Sequence, residues 1–323
     1  ANSGLFFFFR LVSSIINERR EAVDTEPPQS QLISRYLLLV FIWSTTPLAV
    51  VLSIRELHPM WSLAIRFALS APFAGLCLWL MKESLPLTRA AFRSYLAGTL
   101  SLFGAMIFTY LGAAYLPSSL ISLLFGLAPL IVGLLAHAVF RTQLLRTEQW
   151  FGLCVAFAGL LVIFGHSNNE AHPQGLGILY VMIGVSCYVG SVFWLKHEDS
   201  GIHPLAQTTG ALILSALAMA FVLPFYWEKM PTHLPNIVTI SAIMYSVMMA
   251  SVVAMFCYFY LVQHLRPATV SLTTMLTPVL ALIWGFWLNN ERFTQFTWIG
   301  MTAIMMGLIA YFVRDINVLW QKA

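Results

Sequence analysis

The sequence predicts an all-α integral membrane protein whose ten transmembrane helices form two inverted five-helix repeats. Three observations carry this prediction: the composition, the length of the apolar segments, and the return of one pattern in the second half of the chain. Of the 323 residues, 59% are hydrophobic and 9% are charged, whereas a soluble domain carries about 25% charged residues. So few charges cannot cover a globular surface, and we expect most of the surface to face lipid.

Ten segments are long and apolar enough to cross a bilayer, which requires about 20 predominantly apolar residues. Their predicted bounds are 32–54, 59–81, 92–115, 117–139, 148–165, 175–196, 204–226, 236–262, 267–288 and 294–313. The connections between them are short and leave no room for a soluble domain. Residues 1–31 are predicted as an N-terminal cytoplasmic segment, either an interfacial helix or disordered, and residues 315–323 as a cytoplasmic tail.

The positions of Lys and Arg predict the orientation, because cytoplasmic loops of membrane proteins carry an excess of these residues. With the N-terminus placed inside, thirteen of the 17 Lys and Arg residues fall in inner loops, three fall in outer loops, and Arg66 is assigned to the interior of a span. We therefore expect both termini in the cytoplasm. No basic stripe lies outside the spans, so the net charge of +4 does not predict a nucleic-acid partner.

The apolar pattern of the first half returns in the second half with a shift of 145 to 149 residues. The alignment pairs Trp43 with Tyr188, His58–Pro59 with His203–Pro204, Pro129 with Pro278, Trp150 with Trp298, Gly152 with Gly300 and Gly159 with Gly307. The predicted repeat units are residues 32–165 and 175–314. Since five is odd, the second unit starts on the opposite side of the membrane, as in many secondary transporters whose site lies near the midplane between repeats.

One motif links this pattern to a known family. Its residues are Pro278, Leu282, Glu291, Arg292, Thr294, Trp298 and Gly300. Together with FIWSTTPLAV, HPMWSLAIRF and LPSSLISLLFGLAPL in the first half, this motif resembles the drug/metabolite transporter superfamily, in its ten-helix EamA-type branch, over about residues 32–314. Two positions depart from the pattern. Ser44 stands where the family often has Gly, and Gln143 replaces the glutamate in the first half, so we expect the first loop to be held less firmly than the second.

The resemblance implies a central cavity lined by helices 1, 3, 4, 6, 8 and 9, with helices 5 and 10 at the periphery for packing or dimer contacts. It also implies export of amino acids or other small metabolites by many relatives. We therefore expect a monomer or a homodimer in the lipid bilayer, in a bacterial inner membrane.

Aromatic and hydroxyl side chains within the spans are candidates for a pocket that suits an amphipathic solute. The candidate substrate-binding residues are Trp43, Thr45, Phe108, Ser122, Phe125, Tyr188, Ser191, Tyr245, Ser251 and Thr274. The repeat makes Trp43 and Tyr188 equivalent, and both lie about halfway along their spans, so we expect them to face each other across the central cavity. Pro129 and Pro278 are predicted gating hinges, because a proline inside a helix removes a hydrogen bond and kinks it.

Charged or titratable side chains are rare within the spans. Arg66 is a candidate for binding a substrate carboxylate, and the favoured alternative is snorkelling to outer headgroups or a structural bond to loop carbonyls. His137 is a candidate for proton coupling, with a structural hydrogen-bonded role as the favoured alternative. No Asp or Glu lies near the centre of a span, which disfavours a purely cationic substrate unless aromatic faces bind it. We expect uniport, or coupling to protons through His137 or the substrate.

The function predicted from these observations is a secondary transporter that moves a small amphipathic metabolite by alternating access, as an exporter of amino acids or related metabolites. A multidrug, organic-cation or nucleobase transporter of the same fold is the alternative. A membrane enzyme or a receptor is disfavoured, because the sequence carries no catalytic constellation and ten spans do not resemble a seven-helix receptor. The sequence has no phosphate-binding P-loop motif, and it predicts no cofactor and no metal.

Overall fold

The computed structural model describes residues 29–138, 145–165, 174–198, 201–265 and 267–320, and the regular elements within these ranges are all helical. We label them α1 (Gln29–Ser53), α2 (Pro59–Leu80), α3 (Arg89–Ala113), α4 (Ser118–Gly126 and Ala128–Ala138), α5 (Thr147–Gly165), α6 (Gln174–Glu198), α7 (Pro204–Val222), α8 (Ile237–Tyr245, Ser246–Val253 and Ala254–His264), α9 (Pro267–Asn289) and α10 (Gln295–Trp320). A short 3₁₀ segment, Leu223–Lys229, follows α7.

A helix lies at each predicted position, but the predicted number of membrane crossings is supported only in part. Eight of the described helices are long and apolar enough to cross a membrane. The apolar stretches described for α5 and α9, Thr147–Ile163 and Leu276–Asn289, are shorter. The chain is therefore an integral membrane protein, and the count of ten crossings stays a prediction.

At the C-terminal end the last helix continues beyond its predicted span. Helix α10 continues to Trp320, so the segment predicted as a tail from residue 315 begins inside a helix. The charged pair Arg314–Asp315 ends the apolar stretch, but no Pro or Gly follows it to end the helix. The predicted N-terminal segment, up to residue 28, lies outside the described residues.

Helices α2 and α7 begin in the same way, as the alignment of their first residues predicts. His58 and His203 are the N-caps, and their Nδ1 atoms accept hydrogen bonds from the N–H groups of Met60 and Leu205 at 3.3 and 3.2 Å. A proline occupies the first turn of each helix, where its missing N–H is not needed. Burial, reinforced by the positive charge of Lys229, lowers the pKa of His58, which keeps its ring neutral and able to accept.

Helices α5 and α10 pack closely through glycines. A Cβ built on Gly152 would lie 2.5 Å from the carbonyl oxygen of Gly307, and one on Gly300 would lie 2.6 Å from that of Gly159. Residue numbers rise along α5 as they fall along α10 in these two contacts, so the two helices are antiparallel. The sequence alignment makes Gly152 equivalent to Gly300 and Gly159 equivalent to Gly307. The contact between Gly152 and Gly307 is therefore equivalent to the contact between Gly300 and Gly159.

Several other helix contacts also occur in pairs that the predicted repeat makes equivalent. In each pair the helices of the second contact are five positions away, in helix order, from those of the first. Helix α3 packs against α6, and the equivalent helix α8 packs against α1. Helix α4 also packs against α6, and its equivalent α9 packs against α1. Helix α2 packs against its own equivalent, α7. Helices α3 and α8 each contain a π-helical segment, Leu100–Gly104 and Ser246–Val253. These segments fall in the same region of the two predicted repeats.

Candidate functional site

Four aromatic side chains from four helices meet between the two halves of the chain. Trp43 of α1 lies edge-on to Tyr188 of α6, with ring centroids 6.5 Å apart, and 5.3 Å from the ring of Tyr258 of α8. Tyr188 also contacts Phe125 of α4 at 6.2 Å and Tyr258 at 6.5 Å. We call Trp43, Phe125, Tyr188 and Tyr258 the aromatic cluster.

The expected proximity of Trp43 and Tyr188 is observed. Neither ring is among the exposed hydrophobic side chains, whereas Trp79 at the end of α2 is 73% exposed. Phe125 is among the candidate residues predicted from the sequence, whereas Tyr258, which contacts both equivalent rings, is not. Tyr258 lies seven residues after the candidate Ser251, or about two turns along one helix face, and this spacing was the signal available.

Two further candidates lie together on α1 and α8. The hydroxyl groups of Thr45 and Tyr245 are hydrogen-bonded to each other. Thr45 also donates to carbonyl oxygens one turn back on its own helix. Next to Thr45, Ser44 accepts a 3.1 Å hydrogen bond from the indole N–H of Trp284 on α9, which gives the departure from Gly at this position a structural role.

The remaining candidates are distributed around the bundle. Ser191 is fully buried and donates to the carbonyl oxygen of Ala97, so its hydroxyl joins α6 to α3. Phe108 lies where α3 crosses α6, with its Cβ 3.5 Å from a Cβ built on Gly184. Ser122 is buried in α4. The side chain of Thr274 lies outside the described part of the structure.

The two predicted hinge prolines lie in different surroundings. Helix α4 is interrupted at Leu127, whose N–H turns back to the carbonyl of Leu124 at 3.1 Å, and Pro129 follows two residues later. Helix α9 is continuous through Pro278. A break therefore accompanies only Pro129, and the hinge role of both residues stays a prediction.

Arg66 does not snorkel to headgroups, which corrects the first of the two structural roles favoured from the sequence, and its described hydrogen bonds go to side chains rather than to loop carbonyls. Its side chain is 2% exposed. The Nε group donates to Ser251 Oγ at 2.9 Å, and a terminal N–H group donates to Tyr110 Oη at 3.5 Å. Helix α2 turns this side chain towards α3 and α8 rather than towards lipid, and only the packed bundle determines which way a helix faces.

His137 lies at the end of α4 beside the start of α5. Its Nδ1 accepts from the backbone N–H of Leu145 at 3.3 Å, and its ring lies edge-on to Trp150 at 5.5 Å. These contacts fit a structural role for His137, in which its ring holds the start of α5 against the end of α4.

Glu291, the acidic residue of the motif, caps α4 from the α9–α10 connection. Its Oε1 accepts from the Ser118 backbone N–H at 2.8 Å and from the Ser118 hydroxyl at 2.6 Å, and its Oε2 accepts from the Ser119 hydroxyl. A Cβ on Gly285 would lie 2.4 Å from the same carboxylate, so a larger residue at this position would displace the carboxylate from its serine donors. Burial alone would raise the pKa of Glu291, but the hydrogen bonds from Ser118, Ser119 and Asn289 outweigh it and hold the pKa below its usual value.

A cavity of about 240 Å³ lies apart from the aromatic cluster, where the α2–α3 connection meets the start of α7. Glu83 and His203 line it, and His203 Nε2 lies 3.9 Å from Glu83 Oε1. The cavity lies at one end of the bundle and is therefore separate from the aromatic cluster.

Comparison with known families identifies the family of this helical bundle. The model of the EamA-like transporter family matches residues 33–165 and again residues 175–313. The chain belongs to the EamA-like transporter family. It is a membrane transporter by family, rather than a member of a family of enzymes, and such a protein has a small-molecule substrate and a lipid bilayer as its partners.

Individual relatives are similar to this EamA-like transporter along most of their length. The "Uncharacterized inner membrane transporter YedA" of Escherichia coli K12 is 23% identical over 281 residues, which is 86% of this chain and 89% of that protein. Protein PecM of Dickeya dadantii is 26% identical over 280 residues, 85% and 90% of the two chains. A solved crystal structure superposes with a TM-score of 0.63 at 14% identity, covering 90% of this chain and 99% of its own, and so shares the fold.

Proposed function

We propose that this EamA-like transporter is a secondary transporter that binds a small amphipathic metabolite at the aromatic cluster and moves it by alternating access. The observation that carries the proposal is the contact between Trp43 and Tyr188, two positions that the sequence alignment makes equivalent. In transporters built from inverted repeats, the site lies at the repeat interface near the midplane. The antiparallel packing of α5 and α10, which are themselves equivalent, supports the inverted arrangement.

The chemistry of the cluster supports an amphipathic substrate. Its rings supply apolar walls, and the Tyr188 and Tyr258 phenol groups supply hydroxyls that can orient a polar end. Amino acids and related metabolites fit this combination. We propose export from the cytoplasm of a bacterial cell, with both chain termini on the cytoplasmic side.

Transport by purified protein in proteoliposomes tests the proposal. Trp43→Ala and Tyr188→Ala remove one aromatic wall each without breaking a helix, and we expect a roughly fivefold or larger loss of amino-acid counterflow, since a buried ring contact is worth about 1 kcal/mol or more. Trp79→Ala, which removes a 73% exposed ring, is the matched control and should transport normally. Normal transport by both cluster variants would exclude this site.

A further inference from the structure

Arg66 is a buried cation whose described partners are all neutral. Its side chain is 2% exposed, and Ser251 and Tyr110 beside it are 0% exposed. The guanidinium donates to Ser251 Oγ at 2.9 Å and to Tyr110 Oη at 3.5 Å, and approaches Met106 Sδ at 3.7 Å. A hydroxyl, a phenol and a thioether carry no formal charge, so these contacts orient the cation without neutralising it.

No carboxylate in the described part of the chain pairs with Arg66. Its described side-chain contacts are those with Ser251, Tyr110 and Met106. A charge buried without a counter-charge is costly in a membrane protein and marks ligand and ion pathways. A neutral side chain could tie α2 to α3 and α8 without that cost, so packing alone does not explain an arginine here.

Helix α8 connects Arg66 to the aromatic cluster. Ser251, the hydrogen-bond partner of Arg66, and Tyr258, which contacts Trp43, are seven residues apart, roughly 10 Å along the helix axis. This distance matches a small molecule with an apolar body at the rings and a charged end at the guanidinium. Ser251 also lies within the π-helical segment of α8, a distortion that frequently occurs at functional sites.

We propose that Arg66 is the anion-binding group of the substrate site and that the substrates are amphipathic carboxylates. The inference rests on the proposed transport function and adds the charge of the substrate to it. A guanidinium binds a carboxylate through two parallel N–H···O bonds, while the aromatic cluster takes the apolar body. The equivalent position in the second half is Ala211, so only one half of the site supplies this positive charge.

Three probes of matched size test the charge preference: 3-phenylpropionate, its neutral amide 3-phenylpropanamide, and 3-phenylpropylamine. Thermal unfolding of the detergent-solubilised full chain is measured with each at millimolar concentration. We expect the carboxylate to raise the midpoint temperature and the amide and amine to have little effect. Equal stabilisation by the amide, stronger stabilisation by the amine, or no response to the carboxylate overturns the inference.

Variants separate binding from packing. Arg66→Gln should weaken the apparent affinity for 3-phenylpropionate roughly tenfold or more, because a charge-assisted hydrogen bond is lost, and Arg66→Lys should lose less. Arg55→Gln is the control, since Arg55 is an exposed arginine that donates to Asn289. A purely structural Arg66 would lower the midpoint of Arg66→Gln and leave its response to the three probes unchanged, which would contradict the inference. If Arg66→Gln does not fold, Arg66→Lys, which keeps the positive charge, must retain the carboxylate preference.

Counterflow of the same probes in proteoliposomes distinguishes the two proposals. Transport of the amide or the amine without the carboxylate would leave the transport function standing and remove the anion site. Stabilisation by the carboxylate with no counterflow of any probe or of amino acids would leave the anion site standing and remove the proposed transport function.

Discussion

At the scale of single residues, Glu291 connects a sequence motif to a helix end. The first N–H groups of a helix have no partner inside it, and Glu291 supplies an acceptor to those of Ser118 and Ser119 from a distant loop. The second half differs at the corresponding positions, since Pro267 aligns with Ser118 and has no N–H to donate. Gln143 aligns with Glu291 in the first half, so the equivalent pair of positions has neither the carboxylate nor its serine donor.

Loss of the Glu291 charge should destabilise the protein without touching the aromatic cluster. For Glu291→Gln we expect the free energy of unfolding to fall by about 1–3 kcal/mol at neutral pH, because charge-assisted hydrogen bonds are weakened and one amide N–H group faces donors. Thermal unfolding in detergent measures this. Glu228→Gln changes an exposed carboxylate and should have little effect, and an equal shift in the two variants would refute the capping role.

The same carboxylate predicts a dependence on pH. Its pKa is lower in the folded protein than in the unfolded chain, so its contribution to stability is fully present above the unfolded value of about 4.3. That contribution is lost as the pH falls through the folded value. The acid destabilisation should therefore be smaller in Glu291→Gln than in the unmodified protein.

At the scale of elements, α5 and α10 form a pair held by the close approach of their backbones. Helix association in a membrane depends on such packing, because lipid tails are as apolar as the side chains and small residues let backbones meet. The sequence alignment paired Gly152 with Gly300 and Gly159 with Gly307, but it did not reveal that the glycines of α5 face those of α10. The resemblance placed both helices at the periphery for packing, and the structure packs them on each other.

A larger side chain at this contact should separate the pair. In Gly300→Val the new methyl groups would meet the Gly159 carbonyl and the Ile163 side chain, so we expect a loss of about 1–3 kcal/mol or more from overpacking. Gly75→Val is the control, because a Cβ at Gly75 has no neighbour within 4 Å. Unfolding midpoints in detergent report the difference, and similar midpoints for the two variants would show that α5 and α10 do not require this contact.

At the scale of the whole molecule, the orientation in the membrane rests on the distribution of Lys and Arg. The inverted repeat requires the α4–α5 and α5–α6 connections to lie on opposite sides of the bilayer. Since α5 is the segment predicted to cross between them, labelling of one residue at each of its ends tests the orientation and the crossing together.

Cysteine labelling in intact cells provides this test in a variant whose four native cysteines are replaced. Asn168→Cys, after α5, should react with a membrane-impermeant thiol reagent added from outside. Arg146→Cys, before α5, should react only after the cells are opened. The reverse pattern would place the termini outside, and reaction of both from outside would show that α5 does not cross.

The sequence by itself determined where the helices lie. Apolar length and the short polar connections set the bounds, and composition required a lipid-facing surface, because these are local properties of the chain. The matched pairs His58 with His203 and Gly152 with Gly300 were also visible without a structure, since the repeat preserves residue type and spacing.

Only the tertiary structure decided which faces of those helices meet. A helix hydrophobic on all sides carries no periodic signal for its inward face, so the sequence could not choose between lipid and protein for Arg66. For the same reason it grouped Ser191 with the pocket, although that hydroxyl bonds to the Ala97 carbonyl, and it passed over Tyr258. The contact of Trp43 with Tyr188 was predictable because symmetry relates them, whereas the contacts of Arg66 and Tyr258 depend on how three or more helices pack together.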